Sequence, residues 1–156
     1  MVHVTVEQTV QCTPEEFLAL VLDAERYAEV DDKLGRIDWV RRRDNVTEFR
    51  FRSYLPGIPG PGPKVVSRMT LTPGERVDIE YAPPPHNRLV RGISRFRASF
   101  TCAPAPEGTK VTRTIEFTFK RPLNYLLDPL LKRTLKPDVE QEIQKAKQAL
   151  EQREST

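Results

Sequence analysis

The chain is poor in the residues on which most metal, redox and nucleophilic chemistry depends. Its 156 residues include two cysteines and two histidines. Cys12 and Cys102 form neither a CxxC pair nor a ligand set, so two reduced thiols are expected. His3 and His86 have no second histidine, neighbouring cysteine or Glu-x-x-His pattern to work with, and neither a metal site nor a cofactor is expected. Long apolar runs are missing too: nothing approaches the roughly 20 residues that a bilayer span needs. The opening MVHVTVEQTV lacks the basic start and apolar stretch of a signal peptide. These absences point to a soluble, cytoplasmic protein. No repeat or low-complexity linker divides the chain, so residues 1–150 read as one domain and 151–156 as a polar tail.

The net charge of +3 conceals a gradient. Residues 1–35 carry two basic and eight acidic side chains, residues 36–97 thirteen and six, and residues 98–156 ten and eight. Arg41-Arg42-Arg43, Arg50, Arg52, Arg91, Arg95 and Arg97 would lie on the outer face of a sheet. The aromatic residues alternate to the other face, which leaves no stacking platform for bases, and no nucleic acid is expected. A solvated basic face, an acidic protein surface or an anionic headgroup remain as partners, the last as peripheral membrane contact. The expected state is a monomer or weak dimer.

Val2, Val4, Val6 and Val10 alternate with polar residues, the pattern of a half-buried strand, with Gln8 intruding on the apolar face. Thr13-Pro14-Glu15-Glu16 then supplies an N-cap, a first-position proline and the glutamate of a capping box, and Phe17, Leu20 and Val21 give one apolar helix face. Asp23 caps a second short helix, Ala24 to about Val30, with Tyr27 inward. Two strands follow around Asp44-Asn45. The first sets Ile37 and Trp39 opposite Arg36, Asp38 and Val40; the second alternates Phe49 and Phe51 with Glu48, Arg50 and Arg52. Leu55–Pro63, with four prolines and three glycines, reads as a surface loop.

Val65, Ser67, Met69 and Leu71, then Val77, Ile79 and Tyr81, form a further hairpin face. After the stiff segment Ala82–Asn87, one long strand is expected from Leu89 to Cys102, with Val90, Ser94, Phe96, Ala98 and Phe100 on its uncharged face. The last strand sets Val111, Arg113, Ile115, Phe117 and Phe119 against threonines and Glu116. From Pro122 to Leu150, apolar residues recur every three or four positions, which predicts one long amphipathic helix. Asp128-Pro129 would start its regular part and Pro137 would bend it.

This order of elements, with Thr13-Pro14-Glu15-Glu16-Phe17, Asp23-Ala24-Glu25-Arg26-Tyr27 and the join from Phe117 to Leu131, resembles the START-like (SRPBCC) superfamily of polyketide cyclases/dehydrases, lipid-transfer domains and plant pathogenesis-related ligand binders. The resemblance implies the α+β helix-grip fold, in which a seven-stranded curved antiparallel sheet wraps a long C-terminal helix. It also implies a cavity between them for a hydrophobic or amphipathic small molecule, lipid-like or polyketide-like. Trp39, Phe49, Phe51, Met69, Tyr81, Phe96, Phe100, Phe117, Leu127 and Leu130 would line that cavity or simply fill a core.

Arg113 is the one charge on the apolar face of the last strand, and a buried charge must pair. It would bind a ligand carboxylate or enolate, pair with an internal acid such as Asp38 or Glu48, or snorkel to the sheet edge. Its replacement by methionine is expected to leave folding intact and to weaken an acidic ligand. His86 is a candidate rim group or a solvated loop residue. Three functions remain open: a binder or carrier whose entrance is formed by Leu55–Pro63 and the mobile start of the long helix; a cyclase or dehydratase that moves protons with Tyr81, Arg113 or His86; and an interaction module using the basic outer face. No clear acid/base pair supports the second.

Overall fold

Alternation becomes seven strands, β1 (Val2–Val10), β2 (Leu34–Arg43), β3 (Val46–Ser53), β4 (Lys64–Thr72), β5 (Arg76–Tyr81), β6 (Ser94–Ala105) and β7 (Gly108–Phe119). In the computed structural model, which describes residues 1–154, they form one antiparallel sheet in the order β1-β7-β6-β5-β4-β3-β2. The helices are α1 (Pro14–Leu22), α2 (Ala24–Tyr27), α3 (Arg88–Ile93) and α4 (Leu123–Glu154). This is the α+β helix-grip arrangement. The capping box forms as the residues dictate: Glu16 N–H donates to the Thr13 hydroxyl at 3.1 Å, and Thr13 N–H to the Glu16 carboxylate at 3.3 Å.

α4 is held unevenly along its length. Leu131, Leu135, Val139, Ile143, Ala146 and Leu150 are buried, each contributing roughly 1.5–3 kcal/mol for a full-sized side chain relative to exposure. Leu123, Leu127 and Leu130 are only half-buried. The boundary between anchored and looser helix therefore falls at Leu130–Leu131. Pro137 lies inside an uninterrupted helix on its exposed side, where water can satisfy the carbonyl it leaves unpaired. The helix also begins at Leu123 rather than at Asp128-Pro129, and it takes in 151–154, which the sequence reading assigned to a tail; 155–156 lie outside the described residues.

Two strand expectations need correction. Residues 88–93 are the helix α3, not the start of β6. The determinant is Asn87, in the left-handed region at φ 62, whose amide exchanges hydrogen bonds with the backbone of Val66 at 2.7 and 2.8 Å and turns the chain away from the sheet. Arg91 thereby leaves the outer strand face on which Arg95 and Arg97 remain. In β2, register shifts around Ile37 reverse the alternation, so Trp39 pairs with outward Arg50 while Val40 pairs with inward Phe49. Trp39 consequently faces away from the sheet's inner side.

Cys12, just after β1, and Cys102, on β6, are buried and form no disulfide with one another, and β7 lies between those two strands. Burial first, then Glu15, pushes the Cys102 thiol up to about 11, the environment of an unreactive thiol.

The segment 54–63 is a loop fastened to α4: the Thr134 hydroxyl donates to the Pro56 carbonyl at 2.7 Å. Gly57 beside it has φ +86, and a Cβ there would lie 2.7 Å from Thr134 Cγ2. Gly57→Ala is expected to cost about 1–2 kcal/mol, read as a lower thermal midpoint. An unchanged midpoint would mean that the loop is not held in this conformation.

Candidate functional site

Between the inner sheet face and the first turns of α4 lies a cavity of about 230 Å³. Phe49 and Phe51 of β3, Met69 of β4 and Tyr81 of β5 face it. Phe96 and Phe100 of β6 and Phe117 of β7 complete the sheet wall, and Leu123 and Leu127 close it from α4. Ring contacts of 5.7 Å between Tyr81 and Phe96 and 5.0 Å between Phe96 and Phe117 brace that wall. The exposed members of the lining, Tyr54, Pro63 and Ile93, mark its open side.

Trp39, Leu130 and His86 are not part of the wall. Trp39 sits outside with His86, ring centroids 6.0 Å apart, and the Arg41 guanidinium lies 4.5 Å over its ring. Because α4 starts early, its cavity-facing positions are Leu123 and Leu127, and the next on that side is Leu131, fully buried in the core. Leu130 is displaced to the neighbouring helix face.

Around Phe100 the lining turns polar. Tyr27, Asp31, Lys33 and Arg113 line the cavity there, with Glu142 of α4 behind them. The Arg113 guanidinium lies 4.0 Å over the Phe100 ring, donates through Nε to Glu142 Oε2 at 3.1 Å, and places Nη2 3.9 Å from Asp31 Oδ2. Its Nη1 is buried and has no partner among the described residues. Arg113 is thus paired internally, but with neither acid the sequence reading named: Asp38 pairs with Lys64 at 2.9 Å and Glu48 with Arg68 at 3.0 Å, on the other side of the sheet. The Tyr27 hydroxyl donates to Glu142 Oε2.

Asp31, Asp138 and Glu142 bring carboxylate oxygens within 4.8 Å of one another, a spacing that suits a divalent cation. Here Lys33 Nζ lies at the point of convergence, 2.9 Å from Asp31 and 2.8 Å from Glu142, and supplies the positive charge. Burial would lower the Lys33 amine, but Glu142, Asp31 and Asp138 outweigh it and raise the amine above its usual range. Burial would likewise raise Glu142; the charges of Arg113 and Lys33 win and hold it below the usual carboxylate range. Asp31 goes the other way, pushed up to about 6 by burial and by Glu142 against Lys33 and Arg113. Burial also raises Tyr27 and Tyr81; the Tyr81 hydroxyl lies 3.0 Å from Ser94 Oγ.

The sequence did carry one sign of this cluster. Glu142 stands three residues after Val139 and four before Ala146, inside the apolar stripe of α4, where an acid must find a buried cation. Asp31 and Lys33, in an irregular segment, carry no periodic signal.

A family described as polyketide cyclase/dehydrase and lipid transport matches residues 1–151. No curated protein matches in sequence. Among solved structures, a Thermus thermophilus protein is 17% identical, with 94% of this chain and 95% of that one covered and a TM-score of 0.75. The di-domain ARO/CYC StfQ from the steffimycin biosynthetic pathway is 17% identical over 99% of this chain and 52% of its own, TM-score 0.76. A Streptomyces aromatase/cyclase, Zhui, is 13% identical over 96% and 95%, TM-score 0.70. At these identities the likeness speaks to the fold. No helix among the described residues is long and apolar enough to cross a membrane.

Proposed function

Because the chain belongs to the polyketide cyclase/dehydrase and lipid-transport family, we propose that its cavity binds a small, mainly apolar molecule whose carbonyl, enolate or other acceptor meets Nη1 of Arg113. The observation that carries this reading is a buried cationic donor without a partner among the described residues, on a side chain that lines a mainly apolar cavity. A ligand oxygen there would recover roughly 1.5–3 kcal/mol, the worth of a hydrogen bond to a charged group. The cavity is smaller than the roughly 300–1,000 Å³ usual for ligand pockets, which favours a compact ring system or one short chain over a two-tailed lipid.

A second reading, a cyclase or dehydratase, is favoured by Asp31. A cavity-lining carboxyl near neutrality is the kind of group that takes and returns protons, and Arg113 beside it would hold an enolate. Tyr81 also faces the cavity, whereas His86 stands outside it and has no part in this scheme.

Two fluorescent probes test the binding reading: anilinonaphthalene sulfonate and N-phenylnaphthylamine, which share an apolar body and differ in the anionic acceptor. Both are expected to bind, the sulfonate about tenfold tighter, consistent with one charged hydrogen bond. Leu127→Trp, which fills the cavity, should weaken both by about tenfold or more. Equal affinities would remove Arg113 from ligand recognition; no binding of either would remove the cavity reading altogether.

A further inference from the structure

Leu89 is 88% exposed, Leu126 70%, Tyr125 66%, Ile93 48% and Tyr54 38%. Singly, exposed apolar residues are ordinary. These five come from three segments that meet at the open side of the cavity: the loop after β3, α3 and the first turns of α4. Tyr54 and Ile93 are part of the lining, and the Lys120 N–H donates to the Ile93 carbonyl at 2.9 Å, which ties α3 to the β7–α4 junction. α3 buries only Val90 and turns Leu89 and Ile93 outward.

The charges within these segments are basic, with Glu80 and Glu116 of the neighbouring strands beside Arg91, Arg95 and Arg97. Residues 53–63, 88–97 and 119–127 contain no aspartate or glutamate, and include Arg88, Arg91, Arg95, Arg97, Lys120 and Arg121. Arg88, Arg91, Lys120 and Arg121 are exposed, and none makes an ion pair among the described residues. Asp128, the next acid along α4, has its carboxylate against the amino group of Met1 at 3.0 Å. Protruding leucine, isoleucine and tyrosine within a mainly basic border are the chemistry of an interface that enters a bilayer and contacts its phosphates.

We infer that this rim docks on an anionic membrane surface, with Leu89, Ile93 and Leu126 entering the boundary between headgroups and acyl chains, Tyr125 at headgroup level, and Arg88, Arg91, Lys120 and Arg121 against lipid phosphates. The cavity then opens onto the membrane, and an apolar ligand passes between the two without crossing water. Docking itself needs no ligand, so it stands apart from the binding reading above.

The test is co-sedimentation of the full chain with vesicles of phosphatidylcholine alone or mixed with phosphatidylglycerol. The protein is expected to bind the mixed vesicles, to bind phosphatidylcholine at least about tenfold more weakly, and to be released by high salt. Leu89→Glu and Leu126→Glu, at exposed positions that leave the core untouched, should each reduce binding about tenfold or more. Arg88→Glu with Arg91→Glu should reduce it by a similar factor or more, whereas Lys110→Glu, at the far end of β7, should leave it unchanged. Absence of binding to the mixed vesicles overturns the inference, as does binding that survives both leucine substitutions. A dimer in sedimentation velocity that Leu89→Glu dissolves also overturns it, by making the rim a contact between copies. Probe binding in the cavity is measured separately, and neither result decides the other.

Discussion

Arg113→Met is expected to lower the unfolding free energy by about 3–5 kcal/mol, read as a reduced midpoint in urea at neutral pH. This reverses the expectation from sequence that the substitution leaves folding intact. The reason is what Arg113 faces. Glu142 is fully buried, Asp31 nearly so, and Arg113 and Lys33 are the cations opposite them. Methionine fills much of the volume but leaves one ammonium to serve three carboxylates, including Asp138. The unpaired acid, not lost packing, dominates the cost. Arg113→Met combined with Glu142→Gln should therefore recover at least about half of the loss, since both halves of the pair are gone. The deficit should also shrink in mild acid, where Asp31 takes up a proton. A loss below about 1 kcal/mol would mean that the cluster is too hydrated to act as a unit.

Asp31→Asn is expected to act in the opposite direction. The Asp31 carboxyl is raised from its ordinary 3.8 to about 6. A carboxyl raised on folding binds its proton more tightly in the folded chain than in the unfolded one. Its ionisation therefore costs nothing below about pH 4, where it is neutral in both states, and an increasing amount as pH rises through about 6. At about 1.4 kcal/mol per unit, the full cost is about 3 kcal/mol above neutrality. Asparagine imitates the protonated acid and carries no such cost. The variant should match the wild type near pH 4 and exceed it by up to about 3 kcal/mol near pH 8. Glu142, held low by Arg113 and Lys33, contributes stability that is lost only as pH falls below the ordinary carboxylate range, so its effect lies in a different window. Urea titrations of both proteins across this range give the comparison; a difference that does not vary with pH would show that Asp31 is not the group raised by folding.

The same substitution bears on function. If Asp31 transfers protons in a reacting ligand, Asp31→Asn abolishes turnover while the affinities of the two naphthyl probes stay within a few-fold. If the cavity only binds, the change is confined to stability.

Most of the architecture could be read from residue order, because the signals are local. A capping box names its own helix start, period-two alternation names an inward face, and the stripe of α4 names a partner surface. Phe49, Phe51, Met69, Phe96, Phe100 and Phe117 face inward for that reason. The failures have a common cause as well. Alternation along its own strand points Trp39 inward, but a register shift against β3 reverses the phase, and such a shift belongs to a pair of strands. The segment 88–93 alternates well enough for a strand; it coils because Asn87 is clamped to Val66, a contact between segments far apart in the chain.

The sequence by itself determined that a sheet with one charged and one apolar face would close on an amphipathic terminal helix, since capping, turn and periodicity energies act between near neighbours. It also showed that Arg113, if buried, would need a partner, because no buried guanidinium goes unpaired at tolerable cost; snorkelling to the sheet edge stayed open. Which acids would meet it was decided only in three dimensions. Glu142 arrives from the helix that crosses the sheet, and Asp31 with Lys33 from the connection between α2 and β2. The tertiary structure also left Nη1 of that arginine buried without a partner among the described residues, and it gathered scattered apolar and basic residues into one rim at the cavity's mouth. Electrostatic and surface properties of this kind arise between distant segments, and no local pattern of residues encodes them.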